Sequence, residues 1–220
     1  MDSWNIKLIV KLSKRLIMTI KDAKINFIVE KAIKVFLERS ISEVTIHDIA
    51  VSAGVGEATI YRYFATKQNL VCAVATELEK IIFKTYFDFS RAKSGFEKLS
   101  LFYHSYLEIF TSRREFFKFI NEFDAFMISE GKTDNAEYSS GLDMFKELCT
   151  GAYNEGLKDG SVKHFDDFET FYYATTHALL ELCKKLSAAD IVKQDMGINK
   201  QKEIETLTEL ILYKLENKSD

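Results

Sequence analysis

The stretch Thr45 to Lys67, TIHDIAVSAGVGEATIYRYFATK, limits the possible folds more than any other part of the chain. It reads as two short helices joined by a tight turn and leading into a third. The first helix opens at Thr45, and Asp48, three residues on, is its capping-box partner, with Asp where Glu or Gln is usual. Its inward face is Ile46, Ile49 and Ala50. The turn falls at Ala53-Gly54-Val55, where Gly54 takes a positive φ without a Cβ clash. The second helix, Gly56 to Phe64, buries Val55, Ile60 and Phe64. It leaves Glu57, Ala58, Thr59, Tyr61, Arg62 and Tyr63 mostly outward. A small residue at 50, a glycine four later and then an apolar residue give the spacing of a helix-turn-helix. In that motif the second helix lies in the DNA major groove.

The rest of the composition points to an all-α fold. The chain has 220 residues, no proline and nine glycines, whereas an all-β chain needs frequent turn residues. Residues 1–70 hold 11 Lys and Arg against 7 Asp and Glu, and residues 71–220 hold 19 against 26. A mildly basic head on an acidic body fits a protein that touches DNA at one end. Cys72, Cys149 and Cys183 are widely spaced with no C-x-x-C pattern, which suits reduced, buried thiols in a cytoplasmic protein. No stretch approaches the roughly 20 apolar residues of a membrane span, so no membrane partner is expected.

Three segments follow: an N-terminal extension at 1–21, a helix-turn-helix domain at 22–70 and a helical body at 71–220. Lysines interrupt the apolar run of the extension, which argues against a secretion signal. It is open to three readings: an amphipathic helix, a basic arm reaching DNA, or sequence preceding a true start at Met18. Apolar spacing predicts helices at Ala23–Ser40, from Thr66 to about Ser90, and in the body at about Phe96–Thr111, Arg113–Met127, Asn135–Gly156, Asp166–Ser187 and Lys200–Asn217. Breaks are expected at 93–95, 131–134, 158–161 and 195–197.

The run T-I-x-x-I-A-x-x-A-G-V-G-x-A-T-I-Y-x-Y-F-x-x-K-x-x-L, from Thr45 to Leu70, closely resembles the N-terminal DNA-binding domain of TetR-family transcriptional repressors. The resemblance covers about Lys24 to Leu78; beyond that the chain need only be helical. It implies a division of labour that the residues themselves also suggest. Thr45, Tyr61, Tyr63 and Lys67 suit phosphates, which position but do not specify. Gly56, Glu57, Ala58 and Thr59 stand at the start of the recognition helix, where side chains meet base edges. Arg62 reaches guanine or phosphate. Glu57 is the odd member: an acidic group near phosphates costs affinity unless it pairs with a base or with Arg62.

In the body, the resemblance implies a cavity for a small hydrophobic effector. Dense aromatics make Phe83, Phe87, Tyr103, Tyr106, Phe110, Phe123 and Phe126 its candidate lining, with His104 and His177 as possible polar anchors. Taken residue by residue, plain core packing explains the same aromatics. Phe168, Phe171, Thr175, Ala178 and Leu182 on one late helix, with Leu207 and Ile211 on the last, suit a homodimer built as a four-helix bundle. Two heads about 34–36 Å apart would then read palindromic double-stranded DNA.

No H-E-x-x-H, G-x-S-x-G or phosphate-binding glycine loop occurs, and the four histidines pair with no cysteine at metal spacing. No enzyme activity, cofactor or metal is therefore expected. The expected function is a ligand-responsive transcriptional regulator, a repressor. The alternative is a helical small-molecule-binding or scaffold protein whose DNA-binding head is non-functional.

Overall fold

Helical periodicity in the chain becomes nine helices among the residues described by this computed structural model, 20–131, 136–188 and 197–218. They are α1 (Ile20–Glu38), α2 (Ile46–Ala53), α3 (Glu57–Phe64), α4 (Lys67–Tyr86), α5 (Gly95–Ser112), α6 (Arg114–Ser129), α7 (Ala136–Asp159), α8 (Phe168–Ser187) and α9 (Lys200–Leu215). The only β pairing among these residues is an isolated bridge between Val162 and Glu216, which fastens the end of α9 to the loop after α7. Most of the extension at 1–21, and most of the breaks expected at 131–134 and 195–197, lie outside the described residues.

The head forms because α1 carries Ile28, Val29, Ala32 and Phe36 on one stripe, and α2 and α4 pack on α1. In α4 the buried run begins with Leu70, Val71 and Val74, near the head, and continues through Leu78, Glu79 and Ile82 into the body. Around α4 the body is layered with α5 at its centre, touching α6, α7, α8 and α9.

Two helix ends differ from expectation, each for a visible reason. The helix from Thr66 was expected to reach about Ser90, but α4 stops at Tyr86. At Phe87 the backbone leaves helical geometry, with φ −114° and ψ 37°, and Phe87 and Phe89 are both buried beyond the helix end. Phe87 instead packs edge-on against Phe102 and Phe145, at 5.4 and 5.0 Å between ring centroids. Conversely, α7 runs through Gly156 to Asp159 and stops only at Gly160, whose φ is +76°. Gly156 is a crossing point: a Cβ added at Gly95 would lie 2.0 Å from the Gly156 nitrogen.

Candidate nucleic-acid interface and effector cavity

The head is locked at its turns. Thr45 N–H donates to Asp48 Oδ2 (2.7 Å), and Asp48 N–H donates to Thr45 Oγ1 (3.2 Å), closing the capping box. Hydrogen bonds from the Thr45 hydroxyl and backbone, then one from Arg39, hold the Asp48 carboxyl down at about 2. The Arg39 guanidinium lies 3.2 Å from Asp48 and ties α1 to α2. Gly54 adopts φ 61°, ψ 36°, and its N–H caps α2 on Ala50 and Val51. Gly56 is the N-cap of α3.

From that frame α3 presents Glu57, Ala58, Tyr61 and Arg62 outward, with Thr59 and Tyr63 half-buried and Ile60 and Phe64 inside. Tyr61 is 49% exposed. The Arg62 guanidinium lies 4.9 Å over the Tyr63 ring and donates to its hydroxyl (3.3 Å), so these two act as one unit. Glu57 takes a partner that sequence reading did not name: its Oε1 is 2.8 Å from Nδ1 of His47, across the turn. Neighbours ten positions apart meet only because the turn folds α3 back over α2, so no local pattern signals the pair.

Two of the expected phosphate groups are already engaged. The Thr45 hydroxyl serves the cap. Lys67 Nζ donates to the Ile41 carbonyl (2.5 Å) and lies 5.6 Å over the Phe126 ring. Desolvation lowers the Lys67 pKa, against the opposing pull of Glu130 and Asp48. The structure thus places Lys67 between head and body, while Tyr61, Tyr63 and Arg62 share one outer face with Gly56, Glu57, Ala58 and Thr59.

In the body, α4, α5, α6, α7 and α8 enclose a cavity of about 340 Å³, within the 300–1,000 Å³ typical of small-molecule sites. Its wall includes Ile82, Tyr106, Phe116, Phe117, Ile120, Phe145 and Tyr172, with polar groups from Glu79, Tyr138, Asp143, Lys146, Tyr173 and His177. Of the aromatics proposed from sequence, Tyr106 lines it, and so does His177. The others are placed elsewhere. Phe83 and Phe87 pack together behind Phe145. Tyr103 is fully buried, its hydroxyl 2.8 Å from Thr175 Oγ1. His104 bonds back to the Ser100 carbonyl (2.7 Å). Phe110 packs on Phe117, Phe123 on Phe119 and Tyr138, and Phe126 lies beneath Lys67. Periodicity shows which residues are inward; it does not separate a stripe facing a void from one facing a neighbouring helix.

Glu79 is the unexpected wall residue. It is 3% exposed, and burial pushes its carboxyl up to about 8, with a Tyr138 hydrogen bond and Lys80 opposing that rise. Its Oε2 has no hydrogen-bond partner. That oxygen rests against Gly141, where an added Cβ would stand 2.6 Å from it. The sequence does carry a signal: an acidic residue on the apolar stripe of α4, between Ala75 and Ile82.

An open groove between α8 and α9 is lined by Ala178, Leu182, Leu207 and Leu210, with Glu181, Lys185, Lys202 and Glu203 around them. Leu210 is 62% and the nearby Tyr213 67% exposed. Ala178, Leu182 and Leu207, expected from sequence at a dimer surface, line this groove. Phe168 and Phe171 turn instead toward Tyr153 and Phe165; Phe168 stacks on Tyr153 at 3.7 Å. Thr175 bonds to Tyr103, and Ile211 is buried. All three cysteines are buried and none is in a disulfide. Among the described residues no cluster of metal-ligating side chains occurs, and no helix is long and apolar enough to cross a membrane.

Comparison with known proteins agrees with this arrangement. Residues 28–74 match the family described as bacterial regulatory proteins, tetR family. No curated protein matches the chain. Among solved structures, the ketosteroid transcriptional regulator KstR2 of Mycobacterium tuberculosis shares 17% identity over 88% of this chain and 95% of its own, with a TM-score of 0.57. A transcriptional regulator from Saccharomonospora viridis in complex with choline shares 18% over 88% and 98%, with a TM-score of 0.67. The regulator FadR from Bacillus subtilis in complex with stearoyl-CoA shares 17% over 86% and 97%, with a TM-score of 0.61. At these identities the likeness shows a shared fold.

Proposed function

We infer, from a head whose residues 28–74 match the family described as bacterial regulatory proteins, tetR family, that this chain is a ligand-responsive transcriptional repressor acting in the cytoplasm as a homodimer on palindromic operator DNA. The observation that carries the reading is the outer face of α3, where Glu57, Ala58, Tyr61 and Arg62 are exposed on a helix whose other side is anchored by Ile60 and Phe64. Such a helix suits the major groove: its first residues meet base edges, and Tyr61, Tyr63 and Arg62 meet the phosphates flanking them. The Glu57 carboxylate is turned toward His47, whose Nδ1 lies 2.8 Å from its Oε1.

The groove between α8 and α9 supports a second copy of the chain as partner. It is apolar at its floor and carries both signs of charge at its edges, so a two-fold copy can match Glu181 and Glu203 with Lys185 and Lys202. The cavity supports a small, largely apolar effector. Two proteins of similar fold are in complex with choline and with stearoyl-CoA, ligands of very different size. Effector binding would favour a conformer whose two recognition helices no longer fit adjacent major grooves. A coupling free energy of about 1–3 kcal/mol changes operator affinity roughly 5–150-fold.

The test is fluorescence anisotropy of the purified protein with DNA from upstream of its own gene and with random DNA, at physiological salt. A preference for the upstream DNA is expected, and Tyr61→Ala should weaken binding to both DNAs. No preference, and no effect of Tyr61→Ala, would leave the alternative of a ligand-binding protein with an inert head.

A further inference from the structure

We propose that the body cavity takes an organic cation, an ammonium group on an apolar body, with Glu79 as its counter-charge. This rests on the reading of that cavity as the effector site and names the chemistry it selects.

The cavity wall is largely aromatic, and aromatic faces attract cations. A buried polar atom without a partner costs free energy that a ligand donor would recover. Glu79 Oε2 is such an atom, packed against the bare backbone of Gly141, and the Glu79 side chain forms part of the cavity wall. The charges facing Glu79 leave the site short of positive charge. From α7 come Tyr138, Asp143 and Lys146; from α8, Tyr173 and His177; from α5, Tyr106. Asp124 of α6 lies near Tyr138. On α4 itself Lys80 is exposed. Lys146, the cation in the wall, is held by Glu169 and by the Tyr173 ring and hydroxyl, which raise its pKa. Asp124 is paired with Lys184 and Lys146 with Glu169, so neither of these lysines is the counter-charge of Glu79.

The empty protein holds Glu79 mostly as the uncharged acid near neutral pH, because burial disfavours its anion. An entering ammonium ligand makes the carboxylate the favoured form. The O–H bond of the acid breaks, its proton leaves to solvent, and an ion pair forms between carboxylate and ammonium. Binding of a cation should release up to about one proton and strengthen as pH rises from 6 to 8.5.

Isothermal titration calorimetry without DNA tests this with phenylpropyltrimethylammonium, 3-phenylpropanol and 4-phenylbutanoate, each in two buffers of different ionisation enthalpy. The cation should bind at least tenfold more tightly than either competitor at pH 8, with proton release. Glu79→Gln should erase both the preference and the release, while its thermal melt shows that it folds. An alcohol or carboxylate that binds as well as the cation overturns the proposal, as does an unchanged Glu79→Gln or a cation that does not bind at millimolar concentration. A cation that binds as described but leaves DNA affinity unchanged would count against the regulatory coupling and leave the cavity assignment standing.

Discussion

Replacing Glu79 by Gln removes one buried titration and should flatten the dependence of stability on pH. The group's ordinary value is 4.5, and burial in the folded protein raises it to about 8. The sign follows from linkage: the folded state holds this proton more tightly than the unfolded one. The group's contribution is thus fully present below about pH 4.5 and is lost as pH rises through about 8. At about 1.4 kcal/mol per pKa unit, the full loss across that window is roughly 5 kcal/mol, of which about 3 kcal/mol falls between pH 5 and pH 7.5. Gln has the shape of the uncharged acid and no proton to lose. Urea unfolding of both proteins at pH 5, 6, 7 and 7.5, at one protein concentration, gives a difference curve from which all other titrating groups largely cancel. That curve should shift by about 3 kcal/mol in favour of Glu79→Gln as pH rises to 7.5. Parallel stability curves for the two proteins over this range would refute the account of Glu79 as a buried, mostly uncharged acid.

Four further substitutions separate other causes. Gly54→Ala and Gly95→Ala add the same methyl group for different penalties: the first meets no atom within 4 Å but must hold φ 61°, a backbone cost of about 1 kcal/mol, while the second drives Cβ into the Gly156 backbone and should lose about 3 kcal/mol or more in thermal or chemical melts. Ala65, between α3 and α4, has φ 62° without being glycine, so Ala65→Gly should leave stability equal or up to about 1 kcal/mol higher, measured by the same melts. Tyr61→Ala should change the melt by no more than about 0.5 kcal/mol, since the ring is half exposed, yet lower affinity for operator and random DNA alike in anisotropy titrations.

Local rules carried much of the head. Thr45 with Asp48, Gly54 at the turn and the alternation of Ile60 and Phe64 with outward neighbours depend only on residues within one or two turns of one another. Helix positions in the body were legible for the same reason, since apolar spacing is a local signal. What sequence did not show depends on encounters between distant segments. His47 meets Glu57 across the turn, Glu79 lies under Gly141 some sixty positions away, and Lys67 finds the Ile41 carbonyl. The aromatics differ in another way: Phe83 and Tyr106 are both aromatic, helical and inward, and only the missing neighbour in front of Tyr106 makes it a wall. Phe168 and Phe171 were read as an outer surface because their spacing suits one, but Tyr153 and Phe165 cover them from the same chain.

Lys67 and Glu79 stand on the same helix, twelve positions and about 18 Å apart at 1.5 Å per residue. The nearer end of α4 grips the head: Lys67 holds the carbonyl of Ile41, in the loop that leads from α1 into α2. The N–H of that same residue donates to Glu122 of α6 at 2.9 Å. Both helices that hold Ile41 are also cavity walls, α4 through Glu79 and Ile82, α6 through Phe116, Phe117 and Ile120. An effector that alters the spacing of α4 and α6 must either strain these two hydrogen bonds or carry the Ile41 loop with it. Breaking them is the costlier course, because Ile41 is 1% exposed and water cannot replace the lost partners freely. Movement of the loop is the cheaper course, and the helix-turn-helix begins four residues later at Thr45. A dimer reading a palindrome tolerates little change in the separation of its heads. Under the proposed function, the role of Lys67 in DNA binding is to set the position of α2 and α3 more than to hold a phosphate itself.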